Sequence, residues 1–253
     1  MAKYNKFLII ILFAFTAHQA VASSSAREPK QLAWPFEGIF GSFDRQAAQR
    51  GAQVYLEVCS ACHSMHHLYY RNLEDLGFSM AEIKEIAAKK DVKDGPNDAG
   101  EMFDRPASPA DRFVSPYPNN EAARAANNGA LPVDLSLIIK ARHDGGNYVY
   151  SLLTGYGEPP ADFHMMPRLH YNPYFEGGQI SMPPPLSKDQ VTYMDGTPAT
   201  VEQMAHDVVI FLQWAAEPEM EHRKSMGLKV MLFLCAFTVF FYIVKKKIWK
   251  DIA

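Results

Sequence analysis

The stretch Val58-Cys59-Ser60-Ala61-Cys62-His63-Ser64-Met65 constrains this chain more than any other feature. Two of the three cysteines in 253 residues stand there, and a histidine follows them at once. Three chemistries use thiols at that spacing: thiol redox exchange, half of a zinc site, and covalent attachment of a c-type haem. Only the last employs every residue. The thiols add to the two porphyrin vinyl groups as thioethers, and the next residue reaches the iron from the same side as an axial ligand. A closed zinc site wants four ligands, and the remaining cysteine, Cys235, lies far down the chain in an apolar run. A redox pair of the thioredoxin kind wants a βαβ setting, which the sequence around Cys59 does not suggest. Haem c is therefore the expected cofactor, with thiol redox chemistry as the alternative.

The ends of the chain speak to compartment. Lys3 and Lys6 precede the apolar run Phe7 to Phe15, and Ala20-Val21-Ala22 follows. That order is a charged region, a short hydrophobic region and a small-residue cleavage site, so residues 1–22 read as an export signal, with a retained anchor as the bland alternative. A second apolar run, Met226 to Val244, is 19 residues long. At about 1.5 Å per residue it covers roughly 28 Å, enough for a transmembrane helix. Lys229 can snorkel at its start, and Lys245, Lys246, Lys247 and Lys250 close its far end. The positive-inside bias makes residues 245–253 a cytoplasmic tail and leaves residues 23–225 outside. Between Ser23 and Glu221 there are 16 Lys and Arg against 27 Asp and Glu, a net charge of −11. Such a surface does not suit nucleic acid, but it can steer a basic protein partner.

No internal repeat or low-complexity linker divides the exported part, which reads as one domain. Phe43 to Val58 has helical character, with Ala47, Gly51, Val54, Tyr55 and Val58 on one face. Gly51, one turn before Tyr55, would let another helix approach closely. A matching helix follows the capping box Thr200-Val201-Glu202-Gln203, carries the stripe Met204, Val208, Phe211, Leu212 and Ala215, and stops before Pro218. Two terminal helices, with the attachment motif just after the first, predict a mainly α, class I cytochrome c-type domain plus one C-terminal transmembrane helix. Turn-rich stretches at Asp94–Gly100, Ser108–Asn120 and Asn172–Gly178 predict long loops between them.

A haem iron that only shuttles electrons needs a sixth ligand, commonly a methionine thioether. Met182 is best placed, because Pro183, Pro184 and Pro185 stiffen the segment that carries it. Met165, Met166 and Met194 are its competitors. The histidines His66, His67, His143, His164 and His170 more naturally satisfy local hydrogen bonds or lie at the surface.

Longer stretches carry a resemblance. These are "WPFEGIFGSFDRQAAQRGAQVYLEVCSACHSM" from Trp34, "RAANNGALPVDLSLIIKARHDGGNYVYSLLTGYGEPP" from Arg124, and "DGTPATVEQMAHDVVIFLQWAAEPEMEHRKSMGLKVMLF" from Asp195. The chain resembles the cytochrome c1 family, the haem subunits of quinol–cytochrome c oxidoreductase (bc1) complexes. The resemblance implies covalent haem on Cys59 and Cys62, axial ligands His63 and Met182, and Arg142 against a haem propionate. It also implies that Asn127 and Tyr148 line the haem pocket. The family commonly reads Pro-Pro-Asp-Leu where this chain has Pro132-Val133-Asp134-Leu135, which puts local rigidity in question.

The implied role is to take electrons from the Rieske iron–sulfur protein and pass them to cytochrome c, beside cytochrome b in a dimeric complex in the lipid bilayer. The subunit would perform no bond chemistry of its own, and the acidic loops from Asp91 to Asp111 are candidates for docking a basic cytochrome c. The simple export signal implies a bacterial cell membrane with the haem domain on the periplasmic side. The alternative is a membrane-anchored cytochrome that donates directly to a terminal oxidase. A haem enzyme would need an open sixth position and a distal acid–base residue, for which nothing in the chain is a candidate.

Overall fold

A computed structural model describes residues 26–251, so the expected export signal lies outside the described residues. Helix α1 (Arg45–Glu57) opens where the Asp44 carboxylate accepts from the Ala47 N–H at 3.0 Å. That bond satisfies one of the donors a helix start leaves unpaired. A short 3-10 turn, Cys59–Ala61, follows, and then a longer one, Tyr70–Leu76. Helix α2 (Met80–Ala88) begins with a complete capping box between Ser79 and Glu82.

The turn-rich middle holds more regular structure than its composition suggests. Strands β1 (Asp91–Asp94) and β2 (Phe103–Pro106) pair antiparallel, with Val92 opposite Arg105. The expected loop at Asp94–Gly100 is thus the connection of a hairpin. Helix α3 (Asn120–Ala126) and helix α4 (Gly145–Leu153) come next. Strands β3 (His170–Tyr171) and β4 (Gln179–Ile180) form a second short antiparallel pair around the Asn172–Gly178 loop.

Helix α5 (Val201–Ala216) starts at Thr200, whose hydroxyl accepts from the Gln203 N–H at 3.1 Å. Only this half of the expected capping box forms. The Thr200 N–H is already given to Pro198 O at 3.0 Å, and Gln203 sends its Nε2 to Asp207 Oδ1 at 3.0 Å. The stripe Met204, Val208, Phe211, Leu212 and Ala215 is buried, but so are Ala205, Asp207, Val209, Ile210, Trp214 and Ala216. Helix α5 is therefore surrounded by protein on nearly all sides, where a surface helix would bury one face.

Its main partner is α1. A Cβ on Gly51 would stand 2.0 Å from Asp207 O and 2.8 Å from Phe211 Cβ, so the two helices touch backbone to backbone there. Beside that contact, Arg50 Nε donates to Asp207 Oδ2 at 2.8 Å and Arg50 Nη2 to Oδ1 at 3.1 Å. Asp207 has no exposed surface. Burial would raise its carboxyl pKa, yet the nearby His206, 3.7 Å away, and the bonds from Arg50 and Gln203 outweigh that and hold it below the ordinary carboxylate range. The segment before α1 is knitted in through Trp34. Its Nε1 donates to Asn147 Oδ1 on α4 at 2.7 Å, and its ring stacks on His206 with centroids 5.1 Å apart.

The apolar run Met226 to Val244 lies inside one continuous helix, α6 (Met220–Ile248), long and apolar enough to cross a membrane. None of its most apolar 18-residue window is buried, unlike the core helix of a soluble protein. Met220, at its start, belongs to the domain core.

Candidate functional site

Helix α1 delivers the thiols. It ends at Glu57, and Cys62 and His63 both return their N–H groups to Cys59 O, at 3.1 and 2.9 Å. Two thiols and an imidazole therefore issue from one tight turn. Neither Cys59 nor Cys62 is in a disulfide; Cys59 is half-buried and Cys62 exposed. Burial pushes the Cys59 thiol up to about 12. A redox or nucleophilic cysteine needs a depressed pKa, so this environment argues against the thiol-exchange alternative. Among the described residues no three His, Cys, Asp or Glu side chains are placed to share a metal ion.

His63 is oriented by backbone. Its Nδ1 lies 2.7 Å from Val133 O, and because a carbonyl can only accept, Nδ1 carries the proton and Nε2 keeps its lone pair. Burial lowers its pKa, which also favours the neutral, ligating form. The segment that supplies Val133 is itself pinned to the attachment turn. Leu135 N–H donates to Ser64 O at 2.9 Å, and Asp134 Oδ2 accepts from Ser64 Oγ and from His66 N–H, each at 2.8 Å. Tyr55 closes the other side, its hydroxyl donating to His63 O at 3.2 Å.

The methionines separate by environment. Met65 and Met204 are fully buried in the core, Met166 is exposed, and Met194 projects wholly into solvent at 101 % relative exposure. Met165 faces a cavity of about 570 Å³ lined in part by Leu153, Tyr156, His170 and Leu186. Met182 is half-buried, and the Tyr156 hydroxyl holds its carbonyl at 3.0 Å. Arg142 is exposed, forms no ion pair among the described residues, and donates only to its neighbour Ala141 O at 3.1 Å. Asn127 is half-buried at the end of α3. Its Nδ2 is committed to Ala123 O at 2.7 Å and to Tyr117 Oη at 3.1 Å. Tyr148 is half-buried on α4 against the core.

These groups fit a haem c: two free thiols, an imidazole with Nε2 left open, and a guanidinium with no carboxylate of its own. The wider sequence agrees. Residues 34–252 match the model of the Cytochrome C1 family. The chain belongs to the cytochrome c1 family. It is 51 % identical over 235 residues to the cytochrome c1 of Rhodospirillum rubrum, covering 87 % of this chain and 86 % of that one. It is 45 % identical over 240 residues to the mitochondrial cytochrome c1 heme protein of Saccharomyces cerevisiae, covering 94 % and 78 %. A protein of Bradyrhizobium diazoefficiens named cytochrome b/c1 is 46 % identical over 262 residues, which cover 95 % of this chain and 38 % of that one. The family is that of the haem-bearing electron-transfer subunits of bc1 complexes.

Against the family's usual Pro-Pro-Asp-Leu, the Val133 departure costs less than the sequence suggested. What His63 uses at this position is a carbonyl oxygen, which any residue supplies, and the rigidity a second proline would add is supplied by the Asp134 and Leu135 bonds. Sequence reasoning missed this bracket, along with the Tyr156 grip on Met182 and the Arg50–Asp207 pair. Only the polar pair left a trace, as an acidic residue on the apolar side of a helical pattern. Backbone acceptors leave none.

Proposed function

We propose that this chain is the electron-transfer subunit of a quinol–cytochrome c oxidoreductase, accepting electrons from a Rieske iron–sulfur protein and passing them to cytochrome c. Cys59 and Cys62 tether the haem as thioethers, His63 Nε2 and the Met182 thioether ligate its iron, and Arg142 neutralises a propionate. Asn127 and Tyr148 line the same pocket. Bound there, the haem supplies a one-electron ferric/ferrous couple, and the subunit makes and breaks no substrate bond. The residues around it set its surroundings: Val133 O orients His63, and the adjoining core excludes water. The observation that carries this reading is the His63–Val133 bond beside two free thiols, in a chain that matches the family over residues 34–252.

Cytochrome b and the Rieske protein are its partners within the membrane, in a dimeric complex. The haem domain lies on the periplasmic side of a bacterial cell membrane, with Lys245, Lys246, Lys247 and Lys250 on the cytoplasmic side. Acid–acetone extraction followed by denaturing electrophoresis tests the covalent link. The haem will remain on the polypeptide, and its release would overturn the assignment of Cys59 and Cys62.

The charge distribution yields a second expectation, refined by the fold. Asp94 and Asp111 share Arg105, and Asp104 pairs with Lys93 at 3.1 Å, so three carboxylates in and just after the hairpin are paired with cations, although one guanidinium offsets only one of the two charges it holds. The Arg105 guanidinium holds the Asp111 carboxyl well below the usual carboxylate range. Asp91, Asp98 and Glu101 are exposed and form no ion pair among the described residues. They are the groups left to attract a basic cytochrome c. Its reduction will slow as ionic strength rises, because screening shortens the reach of the field. Replacing Asp91 and Asp98 by Asn and Glu101 by Gln together will flatten that dependence; an unchanged slope would put the docking surface elsewhere.

A further inference from the structure

Between the first tryptophan of the domain and α1, the chain makes a turn with an unusual tip. Gly41 N–H donates to Gly38 O at 3.4 Å, which places Ile39 and Phe40 at the two corner positions. Corners of that kind normally carry Gly, Pro, Asn, Asp or Ser. Here two large apolar side chains stand 72 % and 79 % exposed. The turn is rigid at its base. Ser42 N–H donates to Pro35 O at 3.0 Å, and the flanking Phe36 and Phe43 are buried. A Cβ on Gly41 would meet Glu37 O at 2.0 Å, so the loop closes tightly on itself.

The same turn is bolted to the start of α6. Lys224 Nζ donates to Phe36 O at 2.6 Å and to Gly41 O at 3.2 Å. Glu221 accepts from the Phe43 N–H at 2.6 Å and binds Arg45 through both oxygens, at 3.0 and 2.7 Å. Lys224 precedes the apolar run at Met226 by two residues, on the order of 3 Å along the helix axis. The base of the turn that carries the tip therefore sits beside the start of the helix, two residues ahead of the run Met226 to Val244, which is apolar but for Lys229 and Thr238.

We propose that Ile39 and Phe40 form a second membrane contact, inserting into the headgroup–acyl boundary next to α6 and fixing the domain's height and tilt on the bilayer. The occupant is lipid, because Lys224 and Glu221 clamp the turn that exposes these two apolar side chains to the start of the helix long and apolar enough to cross a membrane. The geometry has a physical logic. A single helix tethers a domain but leaves its tilt free, whereas a helix plus an offset apolar contact, locked together by Lys224 and Glu221, defines a plane.

The proposal rests on the reading of α6 as a membrane span, and the test separates the two. Photoreactive benzoylphenylalanine is placed at position 40, and at Phe237 within α6, in the full haem-bearing chain assembled in its own membranes. Illumination will yield phospholipid adducts at both positions, read by mass. Adducts of position 40 to a polypeptide would assign the tip to another subunit and overturn the proposal. No adduct at position 40 with lipid adducts at Phe237 would leave the tip in water and overturn it as well. No lipid adduct at either position would sink the membrane-span reading together with the proposal.

Discussion

Met182→Leu will leave a fully haem-bearing, correctly assembled subunit that no longer supports quinol-dependent reduction of cytochrome c. The thioether links depend on Cys59 and Cys62, which the substitution does not touch. A leucine side chain is apolar and near methionine in volume, so the half-buried site should tolerate it at a cost below about 1.5 kcal/mol. The Tyr156 bond to the residue-182 carbonyl is indifferent to the side chain. On the proposed ligation, what is lost is a soft sulfur ligand that favours ferrous over ferric iron, and its replacements, water or a nearby imidazole, favour the ferric state. The midpoint potential of the variant will fall by roughly 0.1 V or more, within the ~0.8 V range that axial ligands command. Redox titration of the purified complex reads the fall, and co-purification with cytochrome b reports assembly. The same change at Met165, Met166 or Met194 will leave the potential nearly unaltered. A normal potential in Met182→Leu, with a collapse in one of those three, would reassign the ligand.

The second large effect is expected at Gly51. In an ordinary exposed helix, Gly→Ala stabilises by up to about 1 kcal/mol. At Gly51 the sign reverses, because the new methyl would lie 2.0 Å from Asp207 O, a backbone atom in the middle of α5 that cannot swing aside. The helices must part, which stretches the Arg50–Asp207 bonds and opens the packing around Tyr55 and Phe211. Overpacking costs about 1–3 kcal/mol, occasionally more, and loosening a buried ion pair adds to it. We expect about 3 kcal/mol or more of lost stability, which lowers the melting temperature by roughly 6–12 °C for a domain of this size. Thermal unfolding followed by circular dichroism measures it. A variant that melts at or above the parent temperature would mean that α1 and α5 do not meet at Gly51.

That crossing shows how sequence and structure divided the work. A glycine one turn ahead of a tyrosine, on the apolar face of a helix that ends at two cysteines, is compatible with a close helical neighbour and equally with ordinary amphipathic packing; the fold decides for the first. The attachment motif was legible because covalent haem dictates residue identity and spacing along a few consecutive residues. The apolar span of α6 was legible for a similar reason: length and composition over one continuous run decide it. The strands β1 and β2 were not, since their pairing depends on cross-strand contacts such as Lys93 with Asp104, which no local period announces.

By itself the sequence determined the haem cofactor, the mainly helical plan and the apolar C-terminal helix. Each of these is written in residue types at short range. Only the tertiary structure decided how His63 is held, because its partner is the carbonyl of Val133, seventy residues on, and a carbonyl is common to every residue. It likewise decided which carboxylates of the acidic region remain free once Arg105 and Lys93 have taken theirs. It also brought the Ile39–Phe40 tip to the mouth of α6, through bonds from Lys224 that cross more than 180 residues of chain. Long-range contacts between generic groups leave no pattern in the order of residues, and they exist only once the chain has folded.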